Sequence, residues 1–242
     1  MIHLISALQF LTLLPLGRPV PLDPVKMIGF FPAAGLIIGA LLTSADSLFS
    51  RLWNPPVAAL LDIVFLVVIT ASLHIDGLAD TADGILGHRT RERALAIMKD
   101  SRIGAMGLIC VLCTLSLKWA GISGIEKNRL LLLLLIPAYA RGGILFAVKY
   151  LPYGRPEGGT GSFIFEKPSP HFFFAGLLPP VLLSAFLGWD AVRLNLGFIL
   201  ILVALIIFYR KRMGCVTGDM LGAMIEITES MLFLLFSVQG IS

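Results

Sequence analysis

Pro56-Val-Ala-Ala-Leu-Leu-Asp-Ile-Val-Phe-Leu-Val-Val-Ile-Thr-Ala-Ser-Leu73 runs directly into His74-Ile-Asp-Gly-Leu-Ala-Asp-Thr-Ala-Asp-Gly84. The first stretch is long and apolar enough to read as a membrane span. The second carries Asp76, Asp80 and Asp83 at i, i+4 and i+7, one face of a helix. Three carboxylates on one face repel, and near lipid each is also costly to hold as an anion. A cation removes both penalties, so the pattern predicts a divalent-metal site at a membrane surface. The alternative is a polar helix end solvated by water.

Composition supports the membrane reading. Of 242 residues, 57% are hydrophobic and 14% charged, with mean hydropathy +0.91, whereas soluble domains carry about 25% charged residues. The expected class is an all-α polytopic membrane protein, residues 1–242 forming a single integral membrane domain. Seven transmembrane helices are expected, at Met27–Phe49, Pro56–Leu73, Ile103–Ile122, Leu130–Val148, Phe172–Gly188, Leu194–Tyr209 and Met220–Val238. Ile2–Leu14 is apolar but too short to span comfortably and stops at Pro15, so it reads as an N-terminal interfacial helix. It lacks the basic start and cleavage site of a signal peptide.

Alternating loops across these spans puts thirteen Lys and Arg on the side of the amino terminus and four on the other. Basic loops stay in the cytoplasm, which orients the aspartate cluster towards it in an inner membrane. The net charge of +4 therefore reflects cytoplasmic loops and anionic membrane lipids, not nucleic acid. Cys110 and Cys113 lie mid-span without partner ligands and read as packed thiols.

Two loops stand out. In Asp76–Arg102, Thr90 is a plausible N-cap for a short helix reaching about Lys99. Leu151–Pro170 holds Gly154, Gly158, Gly159 and Gly161, and its Gly159-Thr160-Gly161 could wrap a phosphate or simply be flexible. A second acidic stripe, Asp219 and Glu226 with Gly222 between, opens the last span on the same side as Asp76. Two acidic stripes facing one cavity suit Mg²⁺, which takes oxygen ligands and bridges phosphates. Glu229 lies off the stripe and reads as a hydrogen-bonding partner of a neighbouring helix, and Asp62 as a buried structural carboxylate. Arg141 lies within a span, where it could pair with an acid or a phosphate.

These stretches bear a likeness to a known family. Leu11-Thr-Leu-Leu-Pro15 with Phe31-Pro-Ala-Ala-Gly35, then His74–Gly84 with Met98-Lys-Asp-Ser-Arg-Ile-Gly104, Ala140-Arg-Gly142 and Thr217-Gly-Asp-Met-Leu-Gly-Ala223 resemble cobalamin synthase, the adenosylcobinamide-GDP ribazoletransferase family. The family commonly shows a polar pair where this chain has Met224 and Ile225, so no substrate hydrogen bond carries over to those positions. The resemblance implies a Mg²⁺-dependent membrane transferase joining adenosylcobinamide-GDP to α-ribazole, or its 5′-phosphate, with release of GMP. On that reading Asp76, Asp80 and Asp219 are principal metal ligands, supplemented by Glu226. Asp83 completes the shell or accepts the proton of the ribose 5′ hydroxyl, making Asp76, Asp80 and Asp83 the catalytic set. Lys99, Arg102 and Arg141 hold phosphate oxygens, and His74 either acts as a base or simply caps or hydrogen-bonds at the helix end. Subunit number stays open, a homo-oligomer included. Two alternatives are a CDP-alcohol phosphotransferase, from the spaced aspartates, and a cation-coupled transporter, from acids inside a membrane domain.

Overall fold

The computed structural model describes residues 1–20, 23–87, 89–155, 158, 161–165 and 171–238. The chain is helical: α1 Ile2–Leu11, α2 Pro24–Gly29, α3 Phe31–Leu52, α4 Pro55–Ile69, α5 Leu73–Ile85, α6 Arg91–Ile97, α7 Ala105–Ser123, α8 Arg129–Tyr150, α9 Leu178–Ser184, α10 Asp190–Arg212 and α11 Gly218–Phe236. Among the described residues α3, α7, α8 and α10 are long and apolar enough to cross a membrane. At 1.5 Å per residue they measure roughly 28–35 Å, matching a hydrocarbon core of about 30 Å.

The other three expected spans differ. Pro56–Leu73 ends early, because α4 stops at Ile69 and α5 turns 90° away; the bent pair would make a fifth crossing. Thr70 donates its hydroxyl to the Leu66 carbonyl, and Ala71 and Ser72 both take left-handed φ values, 53° and 58°. Such backbone costs on the order of 1 kcal/mol or more per non-glycine residue. The Leu13 amide, donating to the Ile69 carbonyl at 2.8 Å, helps hold the bend. Phe172–Gly188 breaks into a 3₁₀ turn (His171–Leu177), α9 and a second 3₁₀ turn (Ala185–Leu187), since Pro179 and Pro180 lack the amide protons a continuous helix needs. The last expected span becomes α11, whose three acids keep it from qualifying on apolarity.

Inner and outer helices divide clearly. α8 and α11 are buried on nearly every side. α7 and α10 turn Leu108, Ile109, Leu112, Ile199, Leu200 and Val203 outward, an apolar surface fit for lipid. The α3–α8 contact is a close one. A Cβ on Gly35 would sit 2.5 Å from Ala138 Cα, and one on Gly39 would sit 2.1 Å from the Leu134 carbonyl oxygen. Gly35-x-x-x-Gly39 is thus a small-residue groove in which α8 lies, the packing expected where apolar side chains gain nothing by leaving lipid.

Candidate active site

The aspartate helix α5 crosses α11 at glycines. A Cβ on Gly77 would lie 2.7 Å from the Asp219 carbonyl oxygen, and one on Gly222 would lie 3.2 Å from His74 Cα. The two backbones therefore touch where the two acidic stripes meet, and Asp76 and Asp219 stand on the same side, as the span count predicts. α11 starts there because the Thr217 hydroxyl accepts the Met220 amide. The Arg212 guanidinium donates to the Ile85 and Gly87 carbonyls at 2.7 and 3.0 Å, placing a cation at the C-terminal end of α5, where the helix dipole favours it.

The four aspartates then part company. Asp83 accepts the Gly104 amide at 2.7 Å and the Gly107 amide at 2.9 Å, capping α7 and tying it to α5. Asp219 accepts from Arg155 and, at 3.3 Å, from the Thr217 hydroxyl. Asp76 is exposed and Asp80 half-buried, and neither has a hydrogen-bond or ion-pair partner among the described residues. Asp80 sits in the field of Asp76, Asp219 and Asp83, with Arg155 as the opposing charge.

No three His, Cys, Asp or Glu side chains among the described residues converge enough to hold a metal ion alone. Magnesium commonly needs fewer: one or two carboxylates, several waters and substrate phosphates. The unpartnered hard oxygens of Asp76 and Asp80 fit that mode, while Asp219 on α11 is already bonded to Arg155.

Other expected residues find different partners. Glu226, expected among the metal ligands, accepts from Lys118 at 2.6 Å inside the bundle. Lys118 also reaches Glu229 at 2.8 Å, and Glu229 pairs with Arg141. The four form a neutral, buried cluster across α7, α8 and α11, so Arg141 binds an acid and not an open phosphate site. Glu229 bonds neighbouring helices as expected. Asp62 is buried but not alone: Arg129 reaches it at 3.2 Å and Asp46 at 2.6 Å. Arg102 clasps Asp100 at 2.6 Å on the surface, and its hydrogen bonds hold that carboxyl at about 2. Lys99 is exposed in the same turn. Thr90 does cap α6, accepting the Arg93 amide. Among the glycine-loop residues, Gly159 and Thr160 lie outside the described residues. Gly161 meets the start of α11, where its Cβ would be 3.2 Å from Gly218 Cα.

Arg155 stands at this site without any prior signal in the sequence. It reaches Asp219 because Tyr153 and Val216 form a short parallel bridge: the Gly154 amide donates to the Val216 carbonyl, and the Val216 amide to that of Pro152, both at 2.9 Å. Its second tie is to the Met98 carbonyl at 3.1 Å. An arginine in a basic loop carries no sign of such a contact 64 residues away; only the pairing of the two loops creates it.

Between these elements lies a cavity of about 300 Å³. Asp76, Asp219 and His74 supply its polar groups; Phe10, Phe31, Ile144, Ile164 and Ile225 are among its apolar walls. α1, expected at the interface, thus helps to build the site. His74 is 3% exposed, with neither ring nitrogen hydrogen-bonded.

Residues 3–237 match the family model described as cobalamin-5-phosphate synthase. An adenosylcobinamide-GDP ribazoletransferase of Syntrophobacter fumaroxidans is 37% identical over 95% of this chain and 96% of its own. One from Alkaliphilus metalliredigens is 36% identical over 96% and 93%, and one from Roseiflexus sp. 34% over 93% and 85%. No solved structure matches the chain. Neither a phospholipid enzyme nor a transporter is favoured by these matches.

Proposed function

The chain belongs to the cobalamin-5-phosphate synthase family, and from that premise we propose the reaction its site performs. It is a transferase that joins adenosylcobinamide-GDP to α-ribazole or α-ribazole 5′-phosphate, forming adenosylcobalamin or its phosphate and releasing GMP. A ribose hydroxyl of the acceptor attacks the phosphorus next to the cobinamide. The bond to the GMP oxygen breaks, and the hydroxyl proton leaves. The family's description names a product with its 5-phosphate in place, so the attacking hydroxyl is not the 5′ one expected above.

The single observation that carries this reading is the crossing of α5 and α11, where Asp76 and Asp219 line one cavity and Asp80 lies in their field. Asp76 and Asp80 would hold Mg²⁺, which when bound draws charge off the diphosphate and favours in-line displacement. Arg155 steers the Asp219 carboxylate and keeps the acid cluster from being wholly uncompensated. Asp83 acts through structure, fixing α7 against α5. Apolar walls limit water beside the reacting atoms, where electrostatic contacts strengthen. Positioning of hydroxyl and phosphorus supplies much of the remaining rate. By the loop charges the site faces the cytoplasm from an inner membrane.

The test is direct. Purified protein in liposomes, given adenosylcobinamide-GDP, α-ribazole and Mg²⁺, releases GMP in step with cobalamin formation, and chelation stops both. CMP release from CDP-diacylglycerol with an alcohol, or absence of GMP release from adenosylcobinamide-GDP, would overturn the assignment.

A further inference from the structure

We infer that the groove between α8 and α10 binds one anionic phospholipid, its acyl chain lying along the groove and its phosphate held at Arg210. The inference stands whichever reaction the active site performs.

α8 and α10 are tied at two levels and leave a groove between them. At one level the Tyr139 hydroxyl donates to the Asn195 side-chain oxygen at 2.9 Å, and Phe198 meets the Tyr139 and Phe146 rings edge-on. At the other, the Arg210 guanidinium donates to the Tyr150 carbonyl at 2.8 Å. The groove has a volume of about 370 Å³ and shares no lining residue with the active-site cavity. Leu202 is the buried member of its lining, while Ile199, Val203 and Ile207 are exposed along it. At 1.5 Å per residue, Ile199 to Arg210 spans roughly 16 Å, half of a hydrocarbon core of about 30 Å. The groove is therefore one leaflet deep, suited to a single acyl chain, and it ends where the charges begin.

Those charges favour a phosphate. Arg210, Lys211 and Arg212 close α10, and Lys149 stands exposed at the end of α8. Arg212 is engaged within the protein, on the Ile85 and Gly87 carbonyls. Arg210 is exposed and uses one donor on Tyr150; neither it nor Lys211 has a carboxylate partner among the described residues. A guanidinium carries five N–H donors in a fork that matches a phosphate. Tyr150, also exposed, stands at this end, as aromatic residues do at headgroup level. Basic clusters at a membrane face attract anionic headgroups.

An acyl chain alone gains little here, because bulk lipid is as apolar as the groove. Selectivity comes from a phosphate fixed at one end with its chain seated behind it. A second copy of the chain fits worse. Copies inserted the same way carry their basic clusters at the same depth, so a twofold contact through the groove sets Arg210 and Lys211 against their own counterparts. Like charges so placed oppose association.

The test titrates the full chain, purified in detergent, with phosphatidylglycerol or phosphatidylcholine of identical acyl chains, and counts retained lipid by native mass spectrometry. Wild type retains phosphatidylglycerol in preference by about tenfold, as expected from one charge-assisted hydrogen bond. Val203→Trp fills the groove, leaves every charge in place and lowers that affinity by a similar factor. Arg210→Gln combined with Lys211→Gln keeps the groove and binds the two lipids equally. Should Val203→Trp fail to fold, Ile207→Trp, at another exposed position of the groove, replaces it. An unchanged preference in the folded groove variant means that the basic surface attracts headgroups without the groove, and it overturns the site. Equal retention of the two lipids by wild type does the same, as does a wild-type dimer that the groove variant disperses.

Discussion

Helix α11 carries acids to two places that treat charge in opposite ways. At its start, Asp219 faces Asp76 across a cavity, with Asp80 close by and Arg155 paired to Asp219. Two turns further on, Glu226 and Glu229 are matched by Lys118 and Arg141, all four within a few per cent of full burial. Balanced charge sealed inside the bundle ties helices together. Excess negative charge left in reach of a cavity is stable only when something positive joins it. The contrast separates groups that build the fold from groups that await a ligand, although all are acids or bases on the same helices.

That contrast can be broken from either side. Lys118→Ala leaves Glu226 and Glu229 buried without their cation, a loss of about 3–5 kcal/mol, read as a lower unfolding midpoint in detergent. Replacing Lys118 by Met together with Glu226 by Gln recovers part of it; equal stability of wild type and Lys118→Ala would mean the cluster is not structural. Asp76→Asn and Asp80→Asn have the opposite profile. Turnover falls on the order of 10², about 2.7 kcal/mol in barrier, while the unfolding midpoint does not drop, because these carboxylates bond nothing among the described residues. Near-normal GMP release in both variants removes them from the chemistry.

Gly77→Ala probes the crossing itself. A methyl 2.7 Å from the Asp219 carbonyl oxygen forces α5 and α11 apart, at a cost of about 1–3 kcal/mol, and turnover falls with stability. The smallest effect belongs to Arg102→Ala. An exposed pair with Asp100 contributes little, so thermal stability stays unchanged. A tenfold fall in turnover would restore Arg102 as a phosphate contact.

Much of the site was legible as residue type and spacing. The i, i+4, i+7 rhythm of Asp76, Asp80 and Asp83 is a property of helix geometry, and α5 is indeed helical across it. What spacing could not separate is what each carboxylate touches. Asp83 shares the face of Asp80 yet caps α7, because the chain returns at Gly104 and Gly107 after an intervening helix. Glu226 shares the stripe of Asp219 yet lies one helix depth inward, opposite Lys118. Hydropathy likewise marked the apolar stretches but not the bend at Ala71 and Ser72, two residues with no sequence signal for left-handed backbone. Gly35-x-x-x-Gly39 was a readable motif for helix contact that composition alone passed over.

The chain by itself determined that this is a helical membrane protein with clustered acids near basic loops, because periodicity, apolar run length and charge are local quantities. Which acids remain unpaired was decided only by the tertiary structure. Burial and ion pairing depend on what residues far along the chain bring alongside: Arg155 to Asp219, Lys118 to Glu226, and α1 to the wall of the cavity.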